Sequence, residues 1–322
     1  MKRLLSAVLA LSITAVCLWF LLTPDVMQAL GQVASNARPI PIIVAFGLVA
    51  LVQWLRAWRF AVMTAGTAAL PDTVLVRIAL QLNFLNFVLP FRLGELGYPL
   101  LMRRHYGHGL LHSAGVLLLA RLFDLATVVS ILLGAAAVLR LAGGTGNAIL
   151  ALGSLVLGLA PFGLILAGRA LRPWLTRLPG VGVSAAKLTA GLDAVGERRI
   201  GLVAVVLGFA IWLLLALAAI MVAGAVTTTV PPAAAMLGAS AGHVAFALPI
   251  NGIAGIGPSQ AAWVAATTGA GVPWDDAVIS ALALHAVVLT NAIVLGTVAT
   301  IPDLGRRLSA SGDRAPPDGR RR

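Results

Sequence analysis

Charge is scarce in this sequence. Only 11% of its 322 residues are Asp, Glu, Lys or Arg, against roughly 25% in an ordinary soluble domain, and 60% are hydrophobic. That balance cannot clothe a water-facing globule. Cysteine is nearly absent: Cys17 stands alone, so no intramolecular disulfide and no Cys-based metal framework is available. Lysine is almost missing too, with only Lys2 and Lys187 beside many arginines, and together with heavy alanine use this points to a GC-rich bacterial genome. No Gly-x-x-x-x-Gly-Lys-Ser/Thr phosphate loop occurs, which excludes ATP-driven transport by the chain itself. Nor is there a His-Glu-x-x-His pair.

What the sequence has instead is uncharged length. Leu4 to Pro24, Pro39 to Leu55, Leu141 to Gly168, Ile200 to Trp274 and Ala277 to Pro302 contain no formal charge. A bilayer crossing takes about 20 apolar residues, so these runs hold at least five crossings. The expected fold is an all-α polytopic membrane protein with about six transmembrane helices, near 4–23, 39–56, 113–139, 147–168, 200–225 and 276–300. The first could imitate a signal peptide, but its apolar core is too long and no small-x-Ala site follows promptly, so it reads as a retained span. The transmembrane domain is expected over 1–304. A disordered basic cytoplasmic tail is expected over 305–322, and no room is left for a soluble enzyme domain.

Two segments break the pattern. Thr73 to Phe91 is apolar but carries Arg77, Gln81, Asn83 and Asn86, and Ala233 to Thr268 is interrupted by Pro249, Asn251, Gly252, Gly255, Gly257 and Pro258. The positive-inside rule decides between crossing and turning back. If both are re-entrant hairpins, Arg56, Arg59, Arg77, Arg92, Arg103, Arg104, Arg198 and Arg199 join both termini in the cytoplasm, leaving Arg38 and Arg140 outside. If the first crossed fully, the later basic loops would invert. The net charge of +12 is therefore directed at the anionic cytoplasmic leaflet rather than at nucleic acid. Phe87-Val-Leu-Pro90 is echoed by Phe246-Ala-Leu-Pro249, each ahead of a long Ala/Leu/Val helix, and on this topology the two hairpins enter from opposite sides. They form an inverted repeat, and Gly/Pro-broken segments at matching places in two halves point to a transport site. From Leu171 to Arg199 the basic, apolar-periodic stretch suits an interfacial helix.

The ionisable groups most able to carry function are Arg92, Glu95, Arg121 and Asp124. Arg121 and Asp124, three apart, share a helix face near the cytoplasmic end of a span and can pair with each other, with Glu95 or with Arg92. One reading is a headgroup site in which the arginine fork meets phosphate; the other is a structural ion pair pinning the hairpin to the next helix. Asn83, Asn86 and Gln81 either line a polar groove or satisfy backbone freed by the break at Pro90. In the second hairpin Asn251 and Gln260 flank a half-helix start that would present its N-terminus to an anion, or simply make a tight turn. His105, His108 and His112 have helical spacing but read as an interfacial loop rather than a metal site. His243 and His285 are satisfied buried polar groups or members of a proton relay. No cofactor and no metal is expected.

Arg56-Ala-Trp-Arg59, Asn86-Phe-Val-Leu-Pro90-Phe-Arg-Leu-Gly94-Glu95, Ala120-Arg121-Leu-Phe-Asp124, and Leu248-Pro249 followed by Gly255-Ile-Gly257-Pro-Ser-Gln260 resemble the flippase-like transmembrane domain of lysylphosphatidylglycerol synthases. That family includes stand-alone members associated with glycosyltransferases or hopanoid synthesis. The resemblance covers roughly residues 5 to 300. It implies movement of a phospholipid or polyprenyl-linked lipid between leaflets of the bacterial cytoplasmic membrane, with Arg92, Glu95, Arg121 and Asp124 on motif positions. No aminoacyl-transferring domain is expected here. One departure is Gln260, where many members carry Glu: hydrogen bonding is kept and charge is lost. The alternative is an accessory protein that scaffolds an enzyme of envelope lipid synthesis, and an intramembrane enzyme is not expected.

Overall fold

The computed structural model describes residues 37–65, 69–89, 94–175, 192, 197–248 and 253–312. The expected first span, Arg92 and Asn251 lie outside these residues. Nine α-helices of the described residues carry the fold: α1 Pro39–Ala65, α2 Thr73–Val88, α3 Gly97–Tyr106, α4 Leu110–Val138, α5 Gly143–Leu175, α6 Arg198–Val226, α7 Pro232–Ala247, α8 Pro258–Gly269 and α9 Trp274–Gly312. Five of them, α1, α4, α5, α6 and α9, are long and apolar enough to cross a membrane. In hydrocarbon every backbone N–H and C=O needs a partner within the segment, and a continuous helix supplies one.

The two broken segments are helix–turn–helix hairpins. The first is α2, a turn through 94–96, and α3. Asp72 caps α2 by accepting from Leu75 N at 2.8 Å and also accepts from Tyr106 Oη at 2.5 Å, which ties the far end of α3 to the start of α2. The second is α7, the short turn Ile253–Gly255, and α8. Both of its arms open with proline at a first-turn position, where the missing N–H costs nothing. Trp263 and Thr267, in the later part of α8, press against Gly238 in the first half of α7, so this hairpin also returns to the end it left.

The halves α1–α4 and α6–α9 pack as equivalents. α1 and α6 lie together and antiparallel: Arg38 N, ahead of α1, donates to Ala225 O near the end of α6 at 3.1 Å. The first arm of each hairpin packs on the last helix of the other half, α2 on α9 and α7 on α4. The second arm of each packs on the last helix of its own, α3 on α4 and α8 on α9. This exchange is the expected inverted arrangement, with the two turns brought face to face. Phe87 and Phe246 meet with ring centroids 5.5 Å apart.

α5 stands outside the exchange. Only 11% of its most apolar stretch is buried, against 56% for α6, so it rides on α4 and α6 as a peripheral helix. Two reciprocal bonds hold it: Ser130 Oγ donates to Ser154 O at 2.7 Å and Ser154 Oγ to Ser130 O at 2.8 Å. Hydrogen bonds between membrane helices average about 0.6 kcal/mol, so Ser130→Ala with Ser154→Ala is expected to cost about 1 kcal/mol in total, read as a small loss of thermal stability in detergent.

Three helices exceed their expected bounds. α1 continues past Arg56 to Ala65 and α5 past Gly168 to Leu175, taking in the start of the expected interfacial stretch. α9 reaches Gly312, beyond the Gly305 boundary expected for the tail; 313–322 lie outside the described residues.

Candidate functional site

A cavity of about 560 Å³ opens between the hairpins and α1, α4, α6 and α9. Six of the sequence-selected residues line it: Asn83, Asn86, Glu95, Arg121, Asp124 and Gln260. Gln81 does not; it turns to α9 and donates to Ala299 O at 3.4 Å.

One wall is a chain of charges. Arg121 Nε donates to Glu95 Oε2 at 3.1 Å and Nη2 lies 3.0 Å from Glu95 Oε1. Its Nη1 donates to Asp124 Oδ2 at 3.0 Å. Asp124 then takes a two-pronged contact from Arg59, Nη1 to Oδ1 at 2.6 Å and Nη2 to Oδ2 at 3.0 Å, and a third donor from Trp212 Nε1 at 2.8 Å. Side-chain exposure falls along this chain from 32% at Arg121 and 19% at Glu95 to 8% at Asp124 and 2% at Arg59. Arg121 and Glu95 are therefore the most open to the cavity, Asp124 borders it from deeper in, and Arg59 lies behind them as the foundation. The two hydrogen bonds commit Nε and one N–H of Nη1, and Nη2 sits at ion-pair distance from Glu95, so Nη1 and Nη2 keep N–H groups for a further acceptor.

The structure corrects two placements. Arg59, counted with the cytoplasmic loop charges, is instead buried inside α1 and bound to Asp124, because a guanidinium in this interior must find a carboxylate. Arg121, placed near the end of a span, stands a dozen residues into α4, about 16 Å from the helix start at 1.5 Å per residue. Arg59 was identifiable only from Arg56-x-x-Arg59 sitting in an apolar run that continues to Ala65.

The opposite wall is uncharged. Gln260 is buried on α8, where its Oε1 accepts from Gly257 N at 2.7 Å and from Ser259 Oγ at 3.1 Å, and its Nε2 reaches His285 Nδ1 on α9 at 2.8 Å. The first free N–H of the half-helix is thus taken by the chain's own side chain rather than held open. Gly257 adopts φ +133 and Gly255 φ +75, backbone that L side chains avoid. A Cβ at Gly255 would also lie 3.1 Å from both Phe87 and Phe246, so glycine there lets the two turns meet.

At the base of the first hairpin, Tyr106 stacks on His108 and His108 on His112, at 6.0 and 5.4 Å. Burial, then the neighbouring His112, holds the His108 imidazolium below its usual range. His105, the third of the sequence triplet, joins neither stack, and no group of three metal-ligating side chains occurs among the described residues.

Comparison with known proteins found one family: the model of the lysylphosphatidylglycerol synthase TM region matches residues 7–296. No curated protein and no solved structure matched. The match runs through both hairpins and every cavity-lining helix, and on that evidence the chain belongs to the lysylphosphatidylglycerol synthase TM region family.

Proposed function

We propose that this protein moves a lipid with a phosphate-bearing headgroup between membrane leaflets, acting as a flippase or scramblase without covalent chemistry of its own. The observation that carries the reading is the cavity between two inverted hairpins, with Arg121 on its wall offering a two-donor fork while Glu95 and Asp124 hold it in place. A phosphate there meets fixed donors in a poorly solvated site, while apolar wall residues such as Leu117, Leu125 and Val128 border the acyl or isoprenoid chain. The end of the fold bearing Arg77, Arg103, Arg104, Arg198 and Arg199 faces the cytoplasm of a bacterial inner membrane under the positive-inside rule, and Arg38 and Arg140 face out.

The test is leaflet-selective quenching of labelled phospholipid, and separately of labelled polyprenyl phosphate, in vesicles containing wild-type protein or Arg121→Ala. Wild type is expected to move at least one of the two. Hydrogen bonds to a charged group contribute about 1.5–3 kcal/mol, so the variant is expected to lose about tenfold or more in rate. If correctly inserted wild type moves neither lipid, the chain is an accessory protein holding an enzyme of envelope lipid synthesis.

A further inference from the structure

The Gln260–His285 contact fixes a protonation state. Gly257 N is a backbone donor, so the Gln260 atom 2.7 Å away is its oxygen, and the amide orientation follows. Its NH2 group then faces His285 Nδ1 at 2.8 Å, and since NH2 only donates, Nδ1 must present a lone pair. His285 is therefore neutral here, with its proton on Nε2. That nitrogen is buried, and the Ala254 backbone in the turn also hydrogen-bonds the ring.

An added proton has one place to go, which is Nδ1. Two donors then face each other, and their repulsion works against the two bonds that still hold the Gln260 oxygen, from Gly257 N and Ser259 Oγ. Gln260 is also the cap of α8, so its departure frees Gly257 N–H at the turn where Ala254, Gly255 and Gly257 hold positive φ. We propose that His285 is a proton-binding site whose occupation unlatches the second hairpin, so that passage of an anionic headgroup through the cavity is coupled to a proton. This site belongs to the cavity assigned above to the headgroup path, and its test reads the hairpin rather than the lipid.

The other charged or titratable groups on the cavity wall are Arg56 from α1, Glu95 from the 94–96 turn, Tyr98 from α3, Arg121 and Asp124 from α4, and His243 from α7; α2, α6 and α8 contribute none. Glu95 and Asp124 are engaged by guanidinium groups, which do not titrate in proteins. Tyr98 Oη is bonded to Thr64 Oγ1. His243 Nδ1 lies 2.6 Å from the Ala239 carbonyl, an acceptor, so that nitrogen carries hydrogen and keeps this bond in both protonation states. His285 differs in that its existing bond requires the neutral ring.

The experiment places Ile256→Cys at the turn in a Cys17→Ser background and measures thiol labelling in vesicles from pH 8 to pH 4.5. Rates are expressed relative to the same protein carrying His285→Asn, whose side-chain oxygen accepts from Gln260 and cannot titrate; the ratio cancels the thiol's own titration. The ratio is expected to rise several-fold as pH falls. In Gln260→Glu the carboxylate accepts from both Gly257 N–H and a protonated ring, so acid is expected to leave labelling low. A ratio that stays flat, or acid opening retained in Gln260→Glu, overturns the proposal. If the turn opens with acid while no lipid moves in the quenching assay, the latch stands and the translocation reading falls.

Discussion

Asp124→Ala is expected to be among the most destabilising single substitutions in the protein, at about 3–5 kcal/mol. The alanine leaves Arg59, 2% exposed, with a buried positive charge and no carboxylate, and it also strips Trp212 Nε1 of its acceptor. Arg121 keeps Glu95 but loses its Asp124 bond, so the interior loses its charge partner and the cavity loses one of the two carboxylates that hold Arg121. Removing both partners distinguishes charge from packing. Arg59→Met with Asp124→Leu should recover most of the stability, because apolar groups of similar volume replace a buried ion pair at little or no cost. Thermal unfolding in detergent checks both, with the half-exposed Leu125→Ala as reference. If Asp124→Ala unfolds within about 1 kcal/mol of that reference, the buried pair contributes no net stability. The double variant serves function as well, since with the foundation rebuilt from apolar groups any remaining defect in lipid movement reports on how Arg121 is aimed.

The charge chain and the latch occupy equivalent places in the two halves. Glu95, in the first hairpin's turn, meets Arg121 on α4, the last helix of its half; Gln260, just after the second turn, meets His285 on α9, the last helix of its own. One side of the cavity carries ion-paired charges, and on the proposal above the other is ionised only when His285 is protonated. On the proposed function, a headgroup passing between them would meet a fixed cation at one wall and a conditional one at the other. That asymmetry gives two otherwise matching halves different tasks.

Much of this was legible in residue order alone, for identifiable reasons. α6 and α9 coincide with long uncharged runs, so their interiors were fixed by the absence of charge alone. Both hairpins were visible because Pro and Gly interrupt apolar sequence only where protein or a wet cavity covers the freed backbone. The end of α1 was misplaced at Arg56 because the partner that buries Arg59 is Asp124, 65 residues away, and a long-range ion pair leaves no local periodicity. The direction of Gln81 was equally hidden: in an arm that is apolar on every side, helical phase does not say which polar residue faces the cavity and which faces Ala299. His285 was distinguishable from any other buried histidine only once Gln260, 25 residues earlier, was seen against it.

Gly94→Ala is expected to damage the first hairpin out of proportion to the single methyl group it adds. An ideal Cβ at Gly94 would sit 2.6 Å from Asn86 Oδ1, 2.8 Å from Asn86 N and 2.8 Å from Leu85 C. The Asn86 side chain can rotate away, but the other two atoms are backbone of α2, so either the 94–96 turn or the end of the helix must move. Overpacking of this kind costs about 1–3 kcal/mol. The functional effect should be larger, because Glu95 is the next residue and Arg121 is oriented by it. Gly47→Ala is the matched control: nothing lies within 4 Å of its added Cβ, and glycine to alanine inside a helix gains up to about 1 kcal/mol. Thermal stability and leaflet-selective quenching on both variants separate the outcomes. A Gly94→Ala protein as stable and as active as Gly47→Ala would mean that the turn does not press on α2 and that Glu95 is positioned by something else.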